Sequence, residues 1–288
     1  MQNKFSPSEA ATSFFSFFQA HSKFVLKYMG MYSVFTLAIM AGLGAAGYFE
    51  VIGQIVALSS LGKEISPDKA MALFANIKWP LVVPIVIISL LASIAFITMG
   101  LRKAVRNEEI GFHGLVWGRD ENQLFIAGFQ LWLLLMASYL VLIVAIVGIT
   151  FLKMPILGVL LVVGFILFLI FALGRFGMFG VMTIANKKSG VLDSYNFSKE
   201  QFWSFVGAFV LNAIIVMLIT AVVQASLGAI FSPLMKDAIS GMPSSFAGFF
   251  SIGSILYFAA IGAIGGAVRL AMICTGAYAY HKINEASE

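Results

Sequence analysis

The stretch that decides the fold is residues 173–203, LGRFGMFGVMTIANKKSGVLDSYNFSKEQFW. An apolar run of membrane-spanning length ends here at its only charged residue, Arg175, and a basic pair follows at Lys187 and Lys188. The next segment is polar, and residues 198–201 (SKEQ) have the form of a capping box that opens another apolar helix. The pattern predicts two transmembrane helices that meet at the cationic face of a membrane.

The composition places the whole chain in the class of polytopic membrane proteins. Hydrophobic residues make up 60% of the 288 residues and charged residues only 11%, whereas soluble domains carry about 25% charged residues. Several uncharged runs reach about 20 residues, the length that an α-helix needs to cross a bilayer. We therefore predict an all-α membrane protein that forms a single transmembrane domain over residues 1–288.

Six apolar runs have the length of a membrane span. Residues 152–155 join the third run to the fourth, and so short a connector forces an antiparallel hairpin. The six runs form three predicted hairpins, and the second helix of each hairpin has an arginine near its end, which suggests an internal repeat. Membrane topology alone would also place an arginine there. The predicted spans are residues 28–58, 79–100, 124–151, 156–174, 202–231 and 246–268.

Amphipathic segments beside the spans are predicted to lie as helices at the membrane interface. Residues 8–28 are the longest, because Phe14, Phe17 and Phe18 recur there at helical spacing between polar residues. An extension of the first span into the cytosol is the alternative. A second segment begins with an N-cap signal at Ser66, and a third follows the second span.

The distribution of lysine and arginine predicts the orientation of the spans. Thirteen of the 18 basic residues belong to the two terminal segments and to the loops after spans 2 and 4. Positive residues concentrate on the cytoplasmic side of membrane proteins, so both termini are predicted to be cytoplasmic. The five basic residues predicted on the outer side are Lys63, Lys69, Lys78, Lys153 and Lys236.

The polar composition excludes several kinds of partner. The net charge of +5 does not indicate nucleic acid, because the basic residues stand at helix ends, where they meet anionic lipid head groups. Cys274 is the only cysteine, which excludes an intramolecular disulfide and a thiolate metal site. His21, His113 and His281 are scattered, so we expect neither a metal ion nor a cofactor.

The sequence contains no enzyme signature such as G-x-S-x-G, H-E-x-x-H or a phosphate-binding loop, and we expect no catalytic residue. Acidic pairs at residues 108–109 and 120–121 stand beside Arg106 and Arg119, which predicts solvated charge rather than a metal site. Glu50 is predicted at the outer interface, about 30 Å along the first helix. An ion or proton site is the alternative for Glu50.

The most informative charges are three arginines near the cytoplasmic ends of spans: Arg102, Arg175 and Arg269. Snorkelling to the head-group region explains each of them separately. Alternatively they bind lipid phosphate or an acidic partner, because the guanidinium fork matches phosphate geometry. Together with Lys187 and Lys188, these arginines are the candidate lipid- or partner-binding residues.

The middle third of the chain carries a family resemblance. The span that ends at Arg175, the following segment 189–195 (SGVLDSY), and then Phe202, Trp203 and Gly207 resemble a group of bacterial multi-pass proteins. That group is similar to the membrane domain attached to some glycerophosphodiester phosphodiesterases. The resemblance implies a six-span bacterial inner-membrane fold with amphipathic connectors. It assigns no catalytic residue, since the phosphodiesterase domain has no counterpart in this sequence.

These observations favour a protein that acts by binding. We expect a non-enzymatic protein of the bacterial inner membrane, an accessory or scaffold that binds anionic membrane lipids, another membrane protein or a second copy of itself. A small transporter or channel is the alternative, and a continuous polar cavity through the helices would distinguish it. A membrane enzyme comes third, and it would need a cluster of polar residues around a metal at the cytoplasmic face.

Overall fold

The computed structural model describes residues 5–60, 66–109, 115, 117–152, 155–235, 238–239 and 242–286. Twelve α-helices, a 3₁₀ turn at Ser232–Leu234 and a two-stranded antiparallel ribbon make up this part of the chain. The helices are α1 (Pro7–Ala20), α2 (Ser22–Ala45), α3 (Tyr48–Ser60), α4 (Pro67–Phe74), α5 (Trp79–Arg106), α6 (Arg119–Leu152), α7 (Pro155–Phe176), α8 (Phe179–Asn186), α9 (Val191–Phe197), α10 (Phe202–Phe231), α11 (Phe246–Phe249) and α12 (Ile252–Glu285), and the strands are β1 (Ala238–Ile239) and β2 (Met242–Pro243).

Six stretches of helix in the described part are long and apolar enough to cross a membrane: α2, α5, α6, α7 with α8, α10 and α12. The prediction of an all-α, multi-pass membrane protein with six spans is therefore confirmed. The pairing as three hairpins and the interfacial position of the amphipathic helices stay predictions. Five residues on which the predictions of orientation and of metal binding depend lie outside the described part, namely Lys4, Lys63, His113, Lys153 and Lys236.

The predicted first span, residues 28–58, is divided between α2 and α3. Gly47 stands at the break with a φ of 88°, a left-handed conformation that glycine adopts without the steric cost of a Cβ atom. The carbonyl of Ala46 accepts a hydrogen bond from the backbone N of Lys78 at 2.9 Å. The run of small residues 41–47 (AGLGAAG) thus contains the end of the helix, because glycine weakens helix interiors.

The predicted helix 8–28 is also divided. Its first part is α1, and α2 begins directly after His21, whose φ of −130° and ψ of 36° lie outside the helical region. The buried face of α1 consists of small residues that include Ala10 and Ala11, while Phe15 is 52% exposed. Residues 22–28 therefore belong to a candidate span, in part as the alternative interpretation expected.

Helices extend beyond most of the predicted span limits. α5 continues to Arg106, α6 already begins at Arg119, and α12 continues to Glu285, well past residue 268. The separate short helix α11 occupies the predicted start of the sixth span. The limits differ because hydropathy marks where apolar residues stop, whereas helical hydrogen bonding continues through charged residues.

The predicted capping box at residues 198–201 is wrong. Ser198 is the C-cap of α9, and its hydroxyl donates to the carbonyl of Arg175 at 3.2 Å. The first turn of α10 instead follows Gln201, whose carbonyl accepts from the backbone N of Phe205 at 3.0 Å. The acceptor of the Ser198 hydroxyl lies 23 residues earlier in the sequence. A capping motif, which considers only neighbouring residues, cannot predict this hydrogen bond.

The chain divides into two compact units. Unit 1 comprises Met1–Gln19, Ile94–Ile215 and Leu270–Glu288, and unit 2 comprises Ala20–Ser93 and Val216–Arg269. In unit 1 a core of buried apolar side chains includes Met178 and Phe205.

Unit 2 has its own aromatic core and a close helix contact. Phe49 stacks on Phe249 with ring centroids 5.6 Å apart. At Gly262 and Gly266 of α12, an added Cβ would lie 2.7 Å from Cα of Ser33 and 3.3 Å from Cα of Met29. The two glycines therefore let the backbones of α2 and α12 approach closely, as small residues do in membrane helices.

Candidate functional site

Four charged residues of unit 1 form a partly buried cluster, which we call the ionic clasp: Arg102, Arg106, Asp120 and Glu121. Arg102 donates from Nε to Asp120 Oδ2 at 2.9 Å and from Nη2 to Glu121 Oε2 at 3.1 Å. Arg106 Nη1 donates to the same Asp120 oxygen at 2.9 Å. The side chain of Glu121 is fully buried and that of Asp120 is 11% exposed. The prediction of solvated charge at residues 120–121 is therefore wrong.

The clasp also connects to backbone groups. Glu121 Oε2 accepts from the backbone N of Gly118 at 2.9 Å, which caps the start of α6. Arg106 Nη2 donates to the carbonyl of Ile184 in α8. The clasp thus joins the end of α5 to the start of α6 and to α8. We interpret its role as structural, because each of its arginines is neutralised by a carboxylate of the same unit.

Arg175 has a different environment, which we call the Arg175 collar and define by the rings of Phe171, Tyr195 and Phe202. The guanidinium carbon lies 4.9 Å from the ring centroid of Tyr195, 5.4 Å from that of Phe202 and 5.7 Å from that of Phe171. Nε and Nη1 are buried and have no hydrogen-bond acceptor among the described residues. Cation–π attraction contributes about 0.5–2 kcal/mol per favourable ring and supplies no counter-charge.

Three helices build the collar. Arg175 stands in the last turn of α7, and its carbonyl accepts hydrogen bonds from Ser194 Oγ at 2.9 Å and Ser198 Oγ at 3.2 Å. Those serines hold α9 against the end of α7 and so position Tyr195. Gly174 lets α10 approach, since a Cβ there would lie 2.4 Å from the ring of Phe202. The collar is therefore fixed by packing on three sides.

The basic pair that follows α8 is exposed. Lys187 is the C-cap of α8 and has a φ of 55°. Lys188 Nζ lies 3.2 Å from Asp193 Oδ2, and its side chain is 63% exposed. Asp193 also accepts from Asn186 Nδ2 at 2.6 Å. An exposed pair of this kind contributes little to stability.

Arg269 belongs to unit 2 and has no carboxylate within ion-pair distance in the described part of the chain. Its Nη1 and Nη2 donate to the carbonyl and the hydroxyl of Ser93, both at 3.3 Å. Its guanidinium carbon lies 5.2 Å from the ring centroid of Tyr32. Arg269 thus connects α12 with α2 and α5 through neutral partners. In unit 1, the described contacts give Arg102 and Arg175 no common partner.

Glu50 and Asn212 make contacts between helices. Glu50 Oε1 accepts from the backbone N of Phe246 at 2.9 Å, at the start of α11. Asn212 donates from Nδ2 to the carbonyl of Ala271 at 3.1 Å and to Thr275 Oγ1. Asn212 therefore makes hydrogen bonds between α10 and α12, as neutral polar residues do between membrane helices. Within the described ranges, no group of three or more His, Cys, Asp or Glu side chains is placed to hold a metal ion.

The collar residues show what the sequence argument missed. Tyr195 and Phe202 belong to the pattern that carries the family resemblance, but nothing in their spacing connected them with Arg175. For Asp120 and Glu121, the sequence predicted charges exposed to solvent. Comparison of the chain with protein-family models, with curated proteins and with solved structures finds no match.

Proposed function

We propose that the protein is a non-enzymatic integral protein of the bacterial inner membrane, an accessory or scaffold that binds lipid or another membrane protein. One observation carries the proposal: Arg175 lies in an aromatic collar with two nitrogens buried and without an acceptor among the described residues. Arg102 and Arg106 have carboxylate partners in the same unit. A partly buried cation without a counter-charge favours an anion supplied from outside the chain.

The distribution of charge supports a site at the cytoplasmic leaflet. Thirteen of the 18 basic residues belong to the segments proposed to be cytoplasmic, and Arg175, Lys187 and Lys188 are among them. The cytoplasmic leaflet carries anionic lipids, which attract basic residues near the surface by about 1 kcal/mol each. The resemblance to bacterial multi-pass proteins with amphipathic connectors supports the same compartment.

Cysteine labelling tests the orientation. We expect single cysteines introduced at Lys69 and Lys153, in a Cys274→Ser background, to react with a membrane-impermeant reagent from the outer side. A cysteine at Lys187 is expected to react only after the membrane is opened. Labelling of residue 187 in intact cells would contradict the proposed orientation.

Co-purification tests the binding role. The protein is extracted in a mild detergent, and the retained lipids and proteins are identified together by mass spectrometry. We expect anionic phospholipid, or a defined membrane protein in fixed ratio, to remain through extensive washing. A wild-type protein that retains neither would overturn the proposed function. Specific solute uptake into proteoliposomes would support the transporter or channel alternative instead.

A further inference from the structure

We propose that the Arg175 collar binds the phosphate of an anionic glycerophospholipid whose acyl chains lie along the exposed face of α7. This inference rests on the proposed function, because it assigns to named residues the lipid binding that was proposed there in general terms. It adds a ligand chemistry, a phosphodiester joined to acyl chains, and a defined position at the end of α7.

The first argument is the donor geometry of the guanidinium group. Arginine has five N–H donors and no acceptor, and phosphate oxygens match its planar fork. Nε and Nη1 of Arg175 are buried without an acceptor in the described part of unit 1, and the guanidinium carbon lies 4.9 Å from the ring centroid of Tyr195 and 5.4 Å from that of Phe202. Nη2 therefore presents the N–H groups that meet an outside acceptor. Aromatic surroundings lower the local dielectric constant, which strengthens the attraction between this cation and an anion.

The second argument is the apolar surface that leads to Arg175. Four side chains at spacings of three and four residues form one exposed stripe of α7. They are Leu160 at 61% exposure, Val163 at 48%, Leu167 at 61% and Phe171 at 39%. At 1.5 Å rise per residue the stripe runs about 22 Å from Leu160 to Arg175. A single leaflet has about 15 Å of hydrocarbon, so the stripe is long enough for an acyl chain.

The third argument is the apolar rim around the collar. Trp203 is 74% exposed and Leu192 is 75% exposed, and each is close in sequence to a collar residue. The ring centroids of Trp203 and Phe202 lie 5.0 Å apart. Tryptophan is enriched at the level of lipid head groups. The site therefore offers a cation to a phosphate and an apolar surface to the adjoining chains, whereas a free phosphate ion would use only the cation.

Trp203 provides the assay. Full-length protein in detergent is titrated with phosphatidylglycerol that carries brominated acyl chains, which quench tryptophan fluorescence at short range. A Trp203→Phe protein gives the signal of the other tryptophans for subtraction. Diacylglycerol with the same brominated chains tests the need for phosphate, and inorganic phosphate added as a competitor tests the need for chains.

We expect saturable quenching of Trp203 by phosphatidylglycerol in the wild-type protein. Arg175→Gln is expected to weaken binding at least about tenfold, the usual effect of losing a charged hydrogen bond. Arg175→Lys keeps the charge and is expected to weaken binding severalfold, because lysine lacks the planar group that packs against the rings and directs the N–H groups of Nη2. Lys199→Gln is the matched control, since it removes one charge from an exposed residue near the collar, and its effect is expected to stay below about fivefold.

The outcomes separate this inference from the proposed function. Equal affinity of wild type, Arg175→Gln and Arg175→Lys, with each protein monodisperse and helical, would overturn the collar site. The proposed function would still stand if those proteins retained lipid or a partner elsewhere. Diacylglycerol binding as tightly as phosphatidylglycerol would overturn the role of phosphate. Full displacement of the lipid by inorganic phosphate would overturn the role of the acyl chains.

Discussion

The ionic clasp and the Arg175 collar place the same residue type at the end of a long apolar helix and surround it differently. In the clasp, Arg102 reaches two carboxylates at 2.9 and 3.1 Å. In the collar, Arg175 reaches three aromatic rings and has buried N–H groups without an acceptor among the described residues. In the first arrangement each arginine is paired with a carboxylate of the same unit, although Glu121 Oε1 is buried without a hydrogen-bond partner among the described residues. In the second, no carboxylate of the described residues pairs with the arginine, so position at a helix end does not define the surroundings of an arginine.

The largest expected effect is on the clasp. Glu121→Ala removes a fully buried carboxylate that contacts Arg102 and caps α6. The variant should lose about 3–5 kcal/mol of unfolding free energy, because the two hydrogen bonds that Glu121 accepts are lost together, at about 1.5–3 kcal/mol for each bond to a charged group. Denaturant unfolding in mixed micelles measures the loss. Glu109→Gln, at an exposed residue, is the control, and an equally small effect of both substitutions would contradict the structural role of the clasp.

A smaller effect is expected when the guanidinium group is replaced but the charge is kept. Arg102→Lys cannot contact both carboxylates with the same geometry and should cost about 1.5–3 kcal/mol. Arg175→Lys should change stability by less than about 1 kcal/mol, because lysine keeps a cation beside the same rings. The same unfolding measurement compares the two. A greater loss of stability for Arg175→Lys than for Arg102→Lys would show that the collar, and not the clasp, is the region that stabilises the fold.

A similarly small effect is expected at Arg269, which resembles the collar in having neutral partners. Arg269→Lys loses the fork to Ser93 and the stacking on Tyr32, and about 1 kcal/mol of stability should be lost. Retained anionic lipid is expected to fall as well, if Arg269 also meets a phosphate. Lys188→Arg, at an exposed side chain, should change neither quantity. Equal results for the two substitutions would leave Arg269 as a simple anchor of span orientation.

Local patterns predicted the parts of the fold that depend on neighbouring residues. The N-cap at Ser66 is one example, since its hydroxyl accepts from the backbone N of Lys69 at 3.4 Å. The pair Gly262 and Gly266 has the local form of a GxxxG packing motif, and both glycines meet the backbone of α2. The break at Gly47 was not predicted, because a run of small apolar residues is compatible with both a helix interior and a helix end.

Predictions failed where the partner is distant in the sequence. Ser198 has the local form of an N-cap, but its hydroxyl donates to a carbonyl 23 residues earlier. Asp120 and Glu121 have the composition of a solvated loop, but they lie against arginines 14 to 19 residues away. In both cases a hydrogen bond formed on folding replaces the one that local sequence suggests.

The sequence by itself determined that the chain is helical, that six of its stretches are long enough to cross a membrane, and that basic residues gather at particular helix ends. Those properties follow from the apolarity and length of each segment. They determine whether that segment is stable in lipid as a helix, independently of the rest of the chain. Only the tertiary structure decided which arginine is paired with a carboxylate and which lies among aromatic rings. That choice depends on distances between residues that folding brings together, because a charge takes its role from the groups within a few ångströms of it.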